Sequence, residues 1–359
     1  MTEITDTVAN RSEIVFITDA QDCNPNGNPL GENRPRQDPV TGQGVITDVR
    51  LKRYLRDQLE ADGHGVFVKK TAEGTSGSRA ALALDVLGDI TTEEELEEID
   101  DIAEQFLANA LDVRYFGATL SFNKDAENAV HEALYEQFEG GNYTGPVQFS
   151  PARSLNAVEL NEESNTLTSV ISTNEGKDVG GYGLDDHRIK YGIFPFHAII
   201  DEHGAENTGL TDSDVERLDT LCWRALKNQT VSRSKVGQSP RLYLRVEYAK
   251  EGFQDGDLHN AITLDRESAG NSEPMPDEEL RNVNDVCLDV TTLLNRLGTL
   301  SDAGQVESVA VIGSEYLSVS VDGDVIGTAA DLGSELNARG VPTREVDVYE
   351  EFQETLPSE

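Results

Sequence analysis

The chain has 359 residues, 37% of them hydrophobic, enough for one large domain or two to three small ones with packed cores, which excludes a disordered chain. Sixty-seven acids against 29 bases give a formal net charge of -38, spread along most of the chain instead of forming one tail, so the charge describes a surface adapted to a salt-rich cytoplasm and not an interaction segment. No basic leader and no run of roughly 18 apolar residues is present, and Cys23, Cys222 and Cys287 stand far apart without ligand spacing, so a cytoplasmic protein with no membrane span, disulfide framework or metal site is expected.

The apolar run Ile14 to Thr18 predicts a strand over about 13 to 21. It empties into DAQDCNPNGNPLGENRPRQDP, residues 19 to 39. Asn-Pro and Asn-Gly pairs fix turns and allow positive φ, so backbone N–H groups can approach an anion closely, while Arg34 and Arg36 bring charge to the same place. A plain strand-to-helix connection uses the same residue types, and composition alone does not choose between the two. A helix follows over about 47 to 61, with Val49, Tyr54, Leu55 and Leu59 on its apolar face. GVFVKK, 65 to 70, reads as a short strand. Residues 71 to 111 read as a Gly/Ser loop and one acidic helix capped by Thr91 or Thr92. Strands are predicted at 113 to 121, 146 to 150, 166 to 172 and 188 to 201, a second core helix at 211 to 228 and a strand at 241 to 249. The stretch from Lys250 to Glu279 reads as an exposed excursion. A helix at 284 to 298, a strand at 306 to 320, a helix near 328 to 339 and an acidic tail complete the chain. Strand, helix, strand, strand, helix, strand with long insertions is the order of an α+β, ferredoxin-like fold, the RRM-like architecture of RNA-recognition modules.

Against this acidic background, residues 220 to 246 contain no Asp or Glu yet hold Arg224, Lys227, Arg233, Lys235, Arg241 and Arg245. Shorter acid-free windows occur at 113 to 124, 140 to 158 and 187 to 200, and RLKRYLR at 50 to 56 keeps its bases closely spaced. Local basic islands in an acidic chain predict a polyanion ligand, with nucleic acid the leading candidate. Near 1 M salt the Debye length is only about 3 Å, so affinity must come from short-range contacts: forked arginines, backbone N–H donors and bases packed on side chains.

The segments DAQDCNPNGNP, VITDVRLKRYL, DVRYFGA, GPVQFSPARSLN and SRSKVGQSPRLYLRVEY, in this order and at these separations, resemble the backbone subunit of the CRISPR surveillance complex Cascade, in its type I-B branch. The resemblance runs from about residue 13 to 250. It implies a hand-shaped member of the RAMP superfamily. The palm would comprise about 13–68, 113–156, 188–250 and 306–350, the finger insertion 69–112 and the thumb hairpin 157–187, leaving 251–305 as an insertion of unknown role. It implies a subunit without catalysis or cofactor that polymerises along the CRISPR RNA. Its partners would be that RNA, target DNA reached through the guide, further copies of itself and other Cascade subunits, including those that bind the guide's 5' handle and process the CRISPR RNA. Carried onto this chain, the guide-binding loop and helix run from Asn24 through Arg53, with Asn24, Asn26, Arg34, Arg36, Arg50, Lys52 and Arg53 as expected contacts. Lys177 near the thumb tip, the SRSK run of Ser232, Arg233, Ser234 and Lys235, and Arg241 join them. Arg114 and Arg153 sit in acid-free windows, where guide contact and internal pairing are equally open.

Two rival classes stand beside this reading. Some RAMP relatives cut RNA, but His64, His131, His187, His197, His203 and His259 are scattered without evident partners, and in so acidic a chain Asp19, Asp22, Asp38, Asp185 or Asp186 carries little information. A metabolic enzyme with a basic pocket needs paired catalytic groups, and none assemble here. The glycines of VGGYGLDDH lack the strand-then-helix context of a dinucleotide site.

Overall fold

The computed structural model describes residues 7–69, 79–88, 90–120, 122, 128–138, 141–161, 166–168, 183–229, 234–267, 275–354 and 356–357. The first apolar run becomes β1 (Ser12–Cys23), in which every residue from Ser12 to Ala20 is buried. Ile14 and Phe16 enter one core while Val15 and Ile17 enter another, and a strand covered on both faces needs a continuous apolar run instead of alternation. The chain proceeds through β2 (Gln43–Ile46), α1 (Asp48–Ala61), β3 (Val147–Phe149), β4 (Ala152–Ala157), β5 (Ile189–Ile200), α2 (Asp212–Lys227), β6 (Gln238–Tyr248), β7 (Val306–Gly313) and β8 (Thr343–Glu345). The central sheet has the order β8-β7-β6-β1-β5-β3, antiparallel except between β7 and β8. β2 and β4 form a separate two-stranded ladder beside it.

α1 and α2 cover one face through Leu51, Leu55, Leu59, Leu218 and Leu221. α2 starts at a capping box in which Thr211 and Asp214 exchange side-chain and backbone bonds, as the TDSDVE run predicts. The opposite face is covered by side chains from 258–267 and 275–341, including a second, four-stranded sheet of Thr263–Asp265, Cys287–Asp289, Ser318–Val321 and Asp324–Thr328. A third core gathers around Phe106, edge-on to Phe67 and Phe138 at 5.3 and 5.5 Å, within short helices at 79–88, 93–97, 102–109 and 129–137. The protein is therefore of mixed α and β type with several sheets. Among the described residues no helix is long and apolar enough to cross a membrane.

Several local expectations are corrected. Of the segment expected as a strand over 65 to 70, the described residues 65–69 form none, because the Asp112 carboxylate accepts from the N–H groups of Phe67 (2.8 Å) and Val68 (3.1 Å) in place of a neighbouring strand. The acidic helix is two, Glu93–Glu97 capped by Thr92 and Ile102–Asn109 capped by Asp101, whose side chain accepts from the Glu104 N–H. DVRYFGA is a helical turn, Leu111–Phe116, ended at Gly117 (φ 70°), with only 117–119 extended. The expected helix at 284 begins at Thr291, after the strand 287–289, and the expected strand 306–320 breaks after Gly313 so that 318–321 joins the second sheet. The excursion after Lys250 is not wholly exposed: Leu258, Ala261 and Ile262 are core residues. The acidic tail forms a helix, Val348–Glu354, against α2, with the ring of Phe352 4.3 Å from the Arg224 guanidinium.

Candidate nucleic-acid interface

The loop between β1 and α1 is a small framework in its own right. Asn26 is buried, and its Oδ1 accepts from the Thr47 N–H (2.8 Å) and the Thr47 hydroxyl (2.9 Å), while Thr47 Oγ1 accepts from the Arg50 N–H (3.3 Å) and caps α1. Asn24 is buried as well. Its N–H donates to the Ser234 carbonyl (2.8 Å), its Nδ2 donates to the Asn33 carbonyl (2.6 Å), and its own carbonyl accepts from Lys235 Nζ. Tyr54, expected only as a core residue, donates its hydroxyl to the Pro25 carbonyl (3.2 Å), and Gln238 Nε2 donates to Tyr54 Oη (3.1 Å) and the Lys235 carbonyl (3.1 Å). Between these anchors, 27–28 pairs with 34–35, and Glu32 and Asn33 adopt positive φ of 55° and 56°. A Cβ on Gly27 would lie 2.9 Å from the Asn33 carbonyl oxygen as well as against its side chain, a close backbone approach that favours glycine. The asparagines thus shape the loop and join it to the 234–238 turn. Asn26→Ala is expected to cost about 1–2 kcal/mol in urea unfolding, because it leaves the Thr47 N–H and hydroxyl without their acceptor.

The framework brings together two cations from distant segments. Lys235 Nζ is pushed down to about 8 by burial and by the nearby Arg50 charge. The Arg50 guanidinium stands 5.6 Å from the Tyr54 ring, and among the described residues neither cation has a carboxylate partner. Two like charges near one another with no counter-charge among the described residues can accept an anion. Each stands next to an exposed aliphatic residue, Val49 (70% exposed) and Val236 (56%). Val49 was expected on the buried face of α1, which Leu51, Tyr54, Leu55, Gln58 and Leu59 fill instead. Arg36 is anchored through its backbone, its N–H donating to the Asn26 carbonyl (3.0 Å) and its carbonyl accepting from Val45 (2.9 Å), and among the described residues its buried Nε has no hydrogen-bond partner.

The other expected cations have carboxylates. Arg34 meets Glu32 at 3.4 Å, both exposed, a contact of little energy. Lys52 Nζ sits between Asp48 (3.4 Å) and Gln148 Oε1 (3.3 Å), with burial lowering its pKa. Arg53 pairs with Asp57 one turn on (2.6 Å), and Arg153 with Asp38 (2.8 Å). For Arg114 the internal alternative holds: it forks onto buried Asp214 at 3.0 Å through both Nε and Nη2. Arg241 meets Asp19 at 2.8 Å, and desolvation holds that carboxyl above its usual range. Within the longest acid-free window, Arg224 pairs with Asp62 (2.8 Å) and Arg245 with Asp219 (2.7 Å). The window is therefore not an unpaired basic track. Its carboxylates arrive from the C-terminal cap of α1, from β1 and from the acidic first half of α2. Ser234 contributes its carbonyl to the loop framework, and Lys177, Ser232 and Arg233 lie outside the described residues.

The family model for CRISPR-associated protein Cas7 matches residues 10–291 of this chain. The CRISPR-associated protein Cas7 of Haloferax volcanii is 53% identical over 348 residues, covering 96% of this chain and 98% of the relative. A chain of a CRISPR RNA-guided surveillance complex superposes with a TM-score of 0.42 at 15% identity, covering 91% of this chain and 99% of its own. A chain of a CRISPR RNA-guided surveillance complex in a pre-nicking state gives 0.44 at 13%, covering 96% and 98%.

Proposed function

The chain belongs to the CRISPR-associated Cas7 family, and from that premise we propose that it is the CRISPR RNA-binding backbone subunit of a Cascade complex of the type I-B branch, working in the cytoplasm of a salt-loving cell. The observation that carries the RNA contact is the Arg50 and Lys235 pair, two cations without a carboxylate partner among the described residues in a protein of net charge -38. A guide phosphate supplies the missing counter-charge, Val49 and Val236 offer apolar surface to the neighbouring bases, and Arg36 extends the site along the loop. In this reading α1, α2 and the strand order β3-β5-β1-β6 form a ferredoxin-like palm, the helices at 79–109 a finger insertion, and the segment from Ala157 to His187 the thumb. Several copies line up on one RNA, and the guide bases they leave accessible pair with target DNA. Further Cascade subunits hold the 5' handle and process the CRISPR RNA.

The subunit holds its guide without cutting it. Asp19 is engaged by Arg241 and Tyr191, and His197 lies on Glu13 (2.9 Å) and stacks on His259 at 4.4 Å within the protein body, which favours binding over the endoribonuclease alternative. Native purification in molar salt followed by sequencing of bound nucleic acid tests the proposal. Discrete, protected RNA is expected. Trimmed digestion products would support the nuclease, and protein free of nucleic acid would overturn RNA binding.

A further inference from the structure

Two cations from distant segments need something to hold them in one place, and both are tied to the same side chain. Tyr54 lies one turn after Arg50 on α1, is only 2% exposed, and has the Arg50 guanidinium 5.6 Å from the centre of its ring. Its hydroxyl donates to the Pro25 carbonyl (3.2 Å), which ties α1 to the loop that leaves β1. The same oxygen accepts from Gln238 Nε2 (3.1 Å), and that amide nitrogen also donates to the Lys235 carbonyl (3.1 Å). A single phenol thus joins the helix of Arg50, the asparagine loop and the turn of Lys235.

The backbone of that turn is fixed to the end of β1 and to the loop. The Gln21 N–H donates to the Gly237 carbonyl (2.8 Å) and the Asn24 N–H to the Ser234 carbonyl (2.8 Å). Gly237 has φ of 119°, and a Cβ there would fall 2.2 Å from the Gln21 carbonyl oxygen, so this approach needs glycine. Neither bond reaches α1. The link from the turn to the helix of Arg50 runs through Gln238 and Tyr54 Oη, and both side chains are buried, so neither can touch a strand laid on the surface. Burial raises the Tyr54 hydroxyl above its ordinary range, and it keeps the proton it donates through neutral and mildly alkaline pH.

We propose that Tyr54 is a positioning residue for RNA binding: with Gln238 it sets the separation of the Arg50 and Lys235 side chains, so that one backbone phosphate of a single-stranded RNA engages both. The assignment rests on the RNA-binding reading above. Like charges brought together repel, and unrestrained side chains move apart. A chain of buried hydrogen bonds holds them at the working distance before the ligand arrives, and affinity gains from that preorganisation. Phenylalanine at position 54 keeps a ring beside Arg50 but can bond neither Pro25 nor Gln238.

Tyr54→Phe is therefore the informative substitution, measured with an unstructured oligouridylate in molar KCl and in a cycle with Lys235→Gln. It is expected to weaken RNA binding by about tenfold in the parent, but by less than about twofold in Lys235→Gln, where no second charge remains to be placed. Gln238→Met breaks the bridge from the β6 side without touching α1. It is expected to act in the same direction, with little further loss when combined with Tyr54→Phe. The pH profile gives a readout that lowered stability alone does not move. Burial and the Arg50 charge hold Lys235 at about 8, with Cys23 of β1 the other titratable group facing it. Once Tyr54→Phe loosens the turn, the amine is expected to titrate higher, so the fall in affinity begins at higher pH. Equal losses in both backgrounds, with a lowered melting temperature and an unmoved pH profile, would mark Tyr54 as merely structural and overturn the proposal. Unchanged RNA binding by Tyr54→Phe and Gln238→Met would overturn it as well. Failure of the unaltered protein to bind the oligonucleotide is a distinct result, which removes the RNA-binding reading and the role of the bridge with it.

Discussion

Arg50→Glu combined with Lys235→Gln, whose amide can still donate to the Asn24 carbonyl, is expected to strip the guide from the purified protein while leaving the fold intact. A hydrogen bond to a charged group contributes about 1.5–3 kcal/mol, so losing two phosphate contacts should weaken RNA binding by roughly a hundredfold or more even before the added repulsion is counted. Lys52→Glu with Arg53→Glu should do less, because those side chains already hold Asp48, Gln148 and Asp57. The same site predicts a pH dependence. Lys235 in the RNA-free protein titrates at about 8, below an ordinary lysine, because burial and Arg50 disfavour its charge. A bound phosphate favours that charge, so binding takes up a proton, and affinity should fall as pH rises above about 8 and become independent of pH in Lys235→Gln. The folding linkage has the opposite sign. Between about pH 8 and the ordinary lysine range the unfolded chain carries the proton that the fold has lost, so the RNA-free protein gains stability from this group as pH rises through that window. Affinity measured by filter binding from pH 7 to 9.5, beside urea unfolding of the free protein over the same range, separates the two. An RNA affinity that is flat with pH, or a double mutant that keeps full-length guide, would falsify the site.

How far the sequence led differs between elements for physical reasons. β1, α1 and α2 were legible because their signals are local: an apolar run, a helical period, and a Thr211 to Asp214 box at the first turn. The segment from Gly65 to Lys69 was not, since the N–H groups of Phe67 and Val68 are satisfied by Asp112, more than forty residues away. The acid-free windows misled in the same way. Electroneutrality holds in space and not along the chain: Arg224 finds Asp62, 162 residues earlier, and Arg241 finds Asp19. The loop from Asn24 and the basic turn at Arg50 are neighbours, as the sequence reading expects, and of the contacts it expects there the asparagine side chains are engaged within the loop. Asn24 and Asn26 build the loop, while the charge it presents comes from Arg50 and from Lys235 across the fold.

The buried pairs in that window lead to the largest expected loss of stability. Asp219 is fully buried and accepts from Tyr243 Oη (2.8 Å), from Arg245 Nε (2.7 Å) and Nη2 (2.9 Å), and from Arg344 Nη2 (2.7 Å), joining α2 to β6 and β8. Arg245 is itself buried, and although burial opposes its charge, the charge and hydrogen bonds of Asp219 together with Tyr243 and Glu247 drive its pKa far upward. Removing the carboxylate strands that guanidinium in a medium of low dielectric, so Asp219→Ala should cost about 3–5 kcal/mol, a large share of the roughly 5–15 kcal/mol that holds a domain folded. Asp219→Asn keeps acceptors but loses the charge and should fall in between. Added salt discriminates further. Molar KCl screens the carboxylates crowding the surface and should stabilise the parent protein, but it reaches a fully enclosed pair poorly, so the difference between parent and Asp219→Ala should persist from low to high salt in urea titrations. Arg34→Ala, at an exposed pair, should change stability by less than about 0.5 kcal/mol under the same conditions. If Asp219→Ala instead folded normally and lost RNA, Arg245 would have to be a guide contact, and the window of basic residues would regain the role that its ion pairs now take away.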